Sequence, residues 1–341
     1  MIPVSTATSF VKTVFSRVRA PACWVANQFG GRYRIEHNLT RFDRIAKQPQ
    51  PAVLPVEEAI ERLRKDLSNK TCFVGRWGTT EYDVLFGALG MRKWFERRFN
   101  ESDYACMSIN SGFFPRGCER LLERFARTYC EASQACTHHR LLGDYKGSAL
   151  CPGEAFVAKS INPDVTLIPC DTLEILREPN AWLHAVSDKR VLIISPFVED
   201  MKAQFPNLRK VWRDNLSVPV FHPVWYEAIQ SRGNSPATRE FDNWFEALGY
   251  MKGQIARLDF DIALISCGAY GMPLGSFIFK SLHRTAIYFG GELQLFFGLI
   301  GPRWETDKVL RKLLNKHWST PTHNTGDQEM LGRGSRYTHA D

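Results

Sequence analysis

The sequence predicts an α/β fold, a mostly parallel β-sheet flanked by helices. Three observations predict it. Residues 260–304, FDIALISCGAYGMPLGSFIFKSLHRTAIYFGGELQLFFGLIGPRW, read as two strand–glycine turn–helix units in a row. The strands of those units, over 262–267 and 285–289, are apolar on both faces, as expected inside a parallel sheet covered by helices. The same unit stands much earlier in the chain, in TCFVGRWGTTEYDVLFGALG over 71–90.

Taken in order, residues 1–35 contain no Asp or Glu and carry Lys12, Arg17, Arg19, Arg32 and Arg34. Phe10, Val11, Val14, Phe15 and Val18 would share one helical face, a pattern suited to lying on an anionic membrane surface. A helix packed on the domain or a loose arm gives the same pattern, and no apolar leader with a cleavage site is evident. Residues 46–55, AKQPQPAVLP, read as a linker. The chain therefore divides into a basic segment with its linker over 1–55, an α/β domain over 56–318 and a polar tail over 319–341, expected to be disordered.

Within the domain, Ala59, Ile60, Leu63 and Leu67 line one side of a helix over 56–68. A strand over 72–75 leads into the turn Arg76-Trp77-Gly78. Thr79 is the expected N-cap of a helix reaching Leu89, with Gly90 as its C′ residue. Residues 91–99, MRKWFERRF, interleave basic and aromatic side chains, either an acceptor- or membrane-facing surface or a helix packed inward. A long helix is expected over 115–136, and strands over 165–168, 190–195 and 218–222. Ser195-Pro196-Phe197 leads into a helix over 198–204. Residues 236–257 read as one helix whose Phe241, Trp244, Phe245, Leu248 and Met251 are core rather than a sugar platform. Helices over 292–299 and 305–317 complete the pattern.

Open α/β sheets bind ligands beyond the carboxyl ends of their strands. Glycines there let a ligand approach the backbone, and the following helix offers free N–H groups to an anion. Gly268, Tyr270 and Gly271 stand after one strand and Gly290 and Gly291 after the next, with Arg303 nearby. After the first strand, Arg76 suits a phosphate in fork geometry, and Gly78 admits the ligand to the backbone. Glu81 is placed either to hold a divalent cation or to accept a proton, although the helix dipole alone favours a glutamate there. Asp171 and Glu174 are a second source of carboxylates at that edge. Asp259 and Asp261 form a D-x-D, but they precede their strand and belong at the opposite edge.

A formal charge of +8 over 341 residues suggests an anionic partner. No zinc finger, RNA-recognition signature or long Lys/Arg block points to nucleic acid. The nine cysteines are odd in number and form no C-x-x-C pair, which fits free thiols in a reducing, cytoplasmic setting. The group Cys130, Cys136, His138 and His139 matches no structural zinc spacing. No apolar run is long enough to span a membrane.

The strand–R-W-G-T-T-E–helix unit, the later V-L-I-I-S-P-F with Gln204 downstream, and C-G-A-Y-G…G-G-E-L-Q…F-G…G-P-R-W together resemble the GT-D fold glycosyltransferases over residues 56–305. The resemblance implies a Rossmann-like domain that binds a nucleoside-diphosphate sugar and transfers its sugar to a hydroxyl of a glycan or glycolipid acceptor. It implies a D-x-E motif after the first strand that holds the donor through Mn or Mg. Here Thr79 stands at the Asp position and Glu81 at the Glu. A hydroxyl is a poorer ligand for a hard cation, so the metal is in question. Two alternatives stand beside transfer: a scaffold with a degraded site, and a nucleotide-dependent dehydrogenase, against which the missing G-x-G-x-x-G speaks.

Overall fold

The computed structural model describes residues 51–91, 98–142, 151, 153–175, 180–232, 237–301, 304 and 307–322. The basic N-terminal segment, most of the basic–aromatic run after Met91, Arg303 and residues 323–341 lie outside these.

In chain order the elements are α1 (Val56–Asn69), β1 (Phe73–Gly75), α2 (Thr79–Ala88), α3 (Glu101–Ser111), α4 (Glu119–Gln134), β2 (His138–Arg140), α5 (Glu154–Ile161) and β3 (Thr166–Ile168). There follow α6 (Asn180–Leu183), β4 (Arg190–Ser195), α7 (Val198–Gln204), α8 (Leu208–Trp212), β5 (His222–Glu227), α9 (Ala237–Glu240) and α10 (Trp244–Ile255). The chain closes with β6 (Ile262–Ile265), α11 (Gly271–Leu282), β7 (Thr285–Tyr288), α12 (Leu293–Phe296) and α13 (Lys308–Leu313).

The seven strands form one sheet in the order β3-β2-β1-β7-β6-β4-β5, and every pair is parallel. This is the α/β, Rossmann-like arrangement. Side chains alternate between two cores as the pleat requires. Phe73, Leu192, Ile194, Ala263, Ile265, Ala286 and Tyr288 face one core. Val74, Val191, Ile193, Ile262, Leu264 and Ile287 face the other. Helices cover both sides: Leu85, Phe125, Trp244 and Leu274 on the first, Leu63, Met201, Val211 and Phe296 on the second.

This alternation also opens the site. The helices after β1 and β6 pack on the first core, those after β4 and β7 on the second. Four adjacent strands thus send their following helices to alternate faces, leaving a crevice above their carboxyl ends.

Several expectations are corrected. The N-cap of α2 is Gly78, and Thr79 is the first helical residue. The end of α2 is as expected: Gly90 has φ +68°, its N–H bonds Gly87 O at 3.1 Å, and the Met91 N–H bonds Phe86 O at 3.1 Å, a Schellman closure. The strand expected over 218–222 lies at His222–Glu227 instead. Its Pro223 is tolerated because β5 is the sheet edge. The helix expected over 236–257 is two, with Asn243 capping α10 through bonds from the Phe245 and Glu246 amides. The last two helices are shorter than expected. Asp307 caps α13, and past it the Ser319 amide bonds Gly298 O at 2.9 Å.

The strand β2 has no counterpart in the sequence reading, because its residues are polar. All three are buried, and each meets a carboxylate. His138 Nε2 lies 3.0 Å from Asp66, His139 Nε2 3.1 Å from Glu154, and Arg140 Nη2 2.9 Å from Glu292.

Candidate functional site

Trp77 fixes the turn after β1. Its ring is fully buried, its indole N–H donates to Ser133 Oγ at 2.9 Å, and it packs against His139 with ring centres 4.4 Å apart. With Trp77 anchored inward, its neighbours Arg76 and Gly78 both line the cleft above the sheet. Arg76 donates through Nε to Trp77 O at 3.2 Å and through Nη1 to Phe289 O at 3.0 Å. Its guanidinium carbon lies 5.8 Å from the centre of the Tyr288 ring. Among the described residues Arg76 forms no ion pair, so its charge is available to the cleft.

Glu81 also lines the cleft while only 5% exposed. It sits in the first turn of α2 and folds back over the N-cap, where a Cβ on Gly78 would come within 2.1 Å of Glu81 Oε2. No described residue pairs with its carboxylate. Its charge reaches Tyr129, whose phenol is held well above the usual range by burial first and by Glu81 second.

The two other turns close around the same space. Gly268 O accepts from Tyr288 Oη at 2.7 Å, and Ala269 O from Tyr129 Oη at 2.6 Å. Those carbonyls point into the protein, and the turn lies at the mouth of α11. Tyr270 donates to Ser231 Oγ at 2.6 Å, and Ser231 donates to Gly112 O at 2.5 Å, which ties this turn to the opposite wall. The Gly290–Gly291 turn leads into α12, and Gly290 has φ +70°. Below it the buried Arg140 donates to Cys170 O at 2.8 Å and to the same Phe289 carbonyl that Arg76 uses. Burial opposes the Arg140 charge, but Glu292 beside it more than offsets this and raises its pKa.

The cleft holds about 1020 Å³ of open space, its mouth included. Of the residues singled out from sequence, Arg76, Gly78, Thr79, Glu81, Gly268, Tyr270, Gly290 and Gly291 all line it. Gly271 does not line it: a Cβ there would stand 2.3 Å from the Tyr288 ring, so this glycine serves close packing. Arg303 lies outside the described residues. Asp171 and Glu174 are absent from the lining. Asp259 and Asp261 pair with Arg190 at the opposite edge, as their place before β6 predicts.

Sequence reading missed the far wall: Asn110, Ser111, Gly112 and the stretch Ile229–Arg232. Arg232 donates to Ile109 O at 3.1 Å near the end of α3. No spacing or motif marks it in the sequence. Gln294, 2% exposed, forms part of the floor, and its Nε2 reaches Leu299 O at 3.4 Å.

The described donor set does not fit a protein-built Mn or Mg site. Among the described residues no three His, Cys, Asp or Glu side chains converge on a point, and Glu81 is the one carboxylate in the lining. Among the described residues, too, no helix is long and apolar enough to cross a membrane.

The fold and cleft define an α/β protein with a Rossmann-like parallel sheet and a carboxyl-edge pocket of mixed charge. No protein-family model, curated protein or solved structure matches the chain.

Proposed function

We propose that this cleft binds a nucleoside-diphosphate sugar and that the protein is a glycosyltransferase acting on a hydroxyl of a glycan or glycolipid acceptor. One observation carries the reading. A guanidinium, Arg76, and a buried carboxylate, Glu81, face one crevice lined by the start of α2 and by the Gly268–Tyr270 and Gly290–Gly291 turns.

Each part has a role in transfer. Helix N-termini and arginine both favour a diphosphate, and donors held in place before reaction stabilise the charge that develops on it as it leaves. The bond between the anomeric carbon and the diphosphate oxygen breaks, and the carbon bonds to the acceptor oxygen. The acceptor's proton goes to Glu81, and the electron pair of the broken bond stays on the diphosphate, beside Arg76. A positioned base of this kind contributes roughly 10²–10⁴-fold. No step is assigned to a metal. The basic segment over 1–35 is proposed to bring the protein to an anionic, cytoplasmic membrane face where a lipid-linked acceptor would lie.

The test is release or transfer of sugar from UDP- and GDP-sugars by the full chain and by Glu81→Gln. Turnover lost in the variant, with its fold retained, supports the reading; equal turnover removes Glu81 from it. A second reading, a scaffold that binds the nucleotide without turnover, is favoured by Thr79, which leaves the cleft one carboxylate short of a D-x-E pair. Nucleotide binding without any transfer would support that reading instead.

A further inference from the structure

We infer that Arg140, which does not line the cleft, is a positioning residue for Arg76: it grips both ends of the Gly290–Glu292 turn and so fixes the carbonyl that holds Arg76. The inference rests on the proposed nucleotide-binding function and names a residue that acts behind that site.

Arg140 is only 2% exposed, and a guanidinium stays charged even when buried. A buried ion pair is often no more stabilising than apolar side chains of the same volume. Stability alone therefore gives little reason for an arginine here. Its geometry gives one. Nε donates to Cys170 O at 2.8 Å, just past β3. Nη2 donates to Glu292 Oε2 at 2.9 Å, and Nη1 to Phe289 O at 3.5 Å. Phe289 precedes the Gly290–Glu292 turn and Glu292 ends it. One planar fork thus spans the turn from end to end, which a lysine ammonium, a point charge on a flexible stem, does not do.

The route to Arg76 is short. The strand β1 lies between β2 and β7 in the sheet. Val74 pairs with His138 and Gly75 with His139, so Arg76 and Arg140 stand at one level, one residue further on. Both converge on Phe289 O, which takes the Arg76 Nη1 bond at 3.0 Å. A carbonyl oxygen has two lone pairs and accepts both bonds. The other Arg76 bond goes to Trp77 O, on its own neighbour. Phe289 O is therefore the anchor that sets where Arg76 lies against the second glycine turn. Two guanidiniums at one carbonyl repel each other, and Glu292 beside Arg140 offsets that repulsion. Arg140 can then fix the carbonyl without driving Arg76 from it.

The experiment is a double-mutant cycle, read by calorimetric titration with UDP and GDP in manganese chloride. It compares the full chain, Arg140→Lys, Arg76→Gln and the double variant. Arg140→Lys keeps the charge beside Glu292 and removes the fork. It should weaken nucleotide binding about fivefold or more in the parent chain and less than about twofold in the Arg76→Gln background, a coupling usual for residues in one hydrogen-bond network. A merely structural role would cost the same factor in both backgrounds. Should Arg140→Lys fail to fold, Arg140→Met combined with Glu292→Leu enters the cycle in its place, because it leaves no lone buried charge. Equal losses in the two backgrounds, or an unchanged affinity in the Arg140 variant, would overturn the inference and leave the proposed function standing. No binding of either nucleotide by the parent chain would overturn the proposed function and this inference with it.

Discussion

Gly290 and Arg76 occupy adjoining space so closely that a Cβ on Gly290 would stand 2.4 Å from Arg76 Nη1. The guanidinium reaches Phe289 O only because position 290 carries no side chain. The φ of +70° at Gly290 adds a conformational demand of its own. Gly290→Ala should therefore displace Arg76 from the cleft. Thermal unfolding should show a loss of about 1–2 kcal/mol from the left-handed backbone, and nucleotide affinity should fall as far as in Arg76→Ala. Retained affinity would separate Arg76 from the ligand.

Glu81→Gln keeps size and removes the base. Turnover should fall roughly 100-fold or more, as expected for loss of a positioned proton acceptor. UDP or GDP affinity should hold or rise, because a negative charge leaves the cleft. A steady-state and binding comparison separates the two effects.

Gly271 separates packing from binding. A methyl group there meets the Tyr288 ring at 2.3 Å, yet the residue does not line the cleft. Gly271→Ala should destabilise the fold by about 1–3 kcal/mol through overpacking. Denaturant unfolding reads this directly, and the loss should appear with or without nucleotide.

His138 makes stability pH-dependent. Burial holds its pKa down at about 4 against the opposing pull of Asp66, with Lys70 and Arg62 also lowering it. The unfolded chain, with an ordinary histidine near 6.5, binds more protons than the folded one between those values. Stability is therefore full above pH 6.5 and is lost as pH falls towards 4, by roughly 3 kcal/mol for this group. Asp66, whose pKa is lowered in the fold, extends the loss below pH 4 in the same direction. Unfolding midpoints measured across this range should slope for the wild type and flatten for His138→Gln between pH 6.5 and 4.

The strand–glycine–helix units were legible in the sequence because their strands are apolar throughout and end in glycine. That pattern alone placed Arg76, Glu81, Gly268 and Gly290 at one edge of the sheet. The strand β2, one in from the sheet edge, was not legible. His138, His139 and Arg140 have the polarity of a loop, and their burial depends on Asp66, Glu154 and Glu292, which lie 72, 15 and 152 residues away. Hydrophobic periodicity carries no signal for a strand whose burial is secured by distant charges. The far wall of the cleft was hidden for a related reason. Arg232 reaches the site through tertiary folding, from a stretch with neither a strand nor a glycine-rich turn to mark it.

The central claim is that Arg76 presents its charge to a nucleoside diphosphate in this cleft. The most direct test is calorimetric titration of the full chain and of Arg76→Gln with UDP and GDP. The account predicts saturable binding of one nucleotide by the wild-type chain, and a loss of about tenfold or more in the variant at an unchanged melting temperature. Equal affinity in the two proteins, or no binding by the wild type, would contradict it.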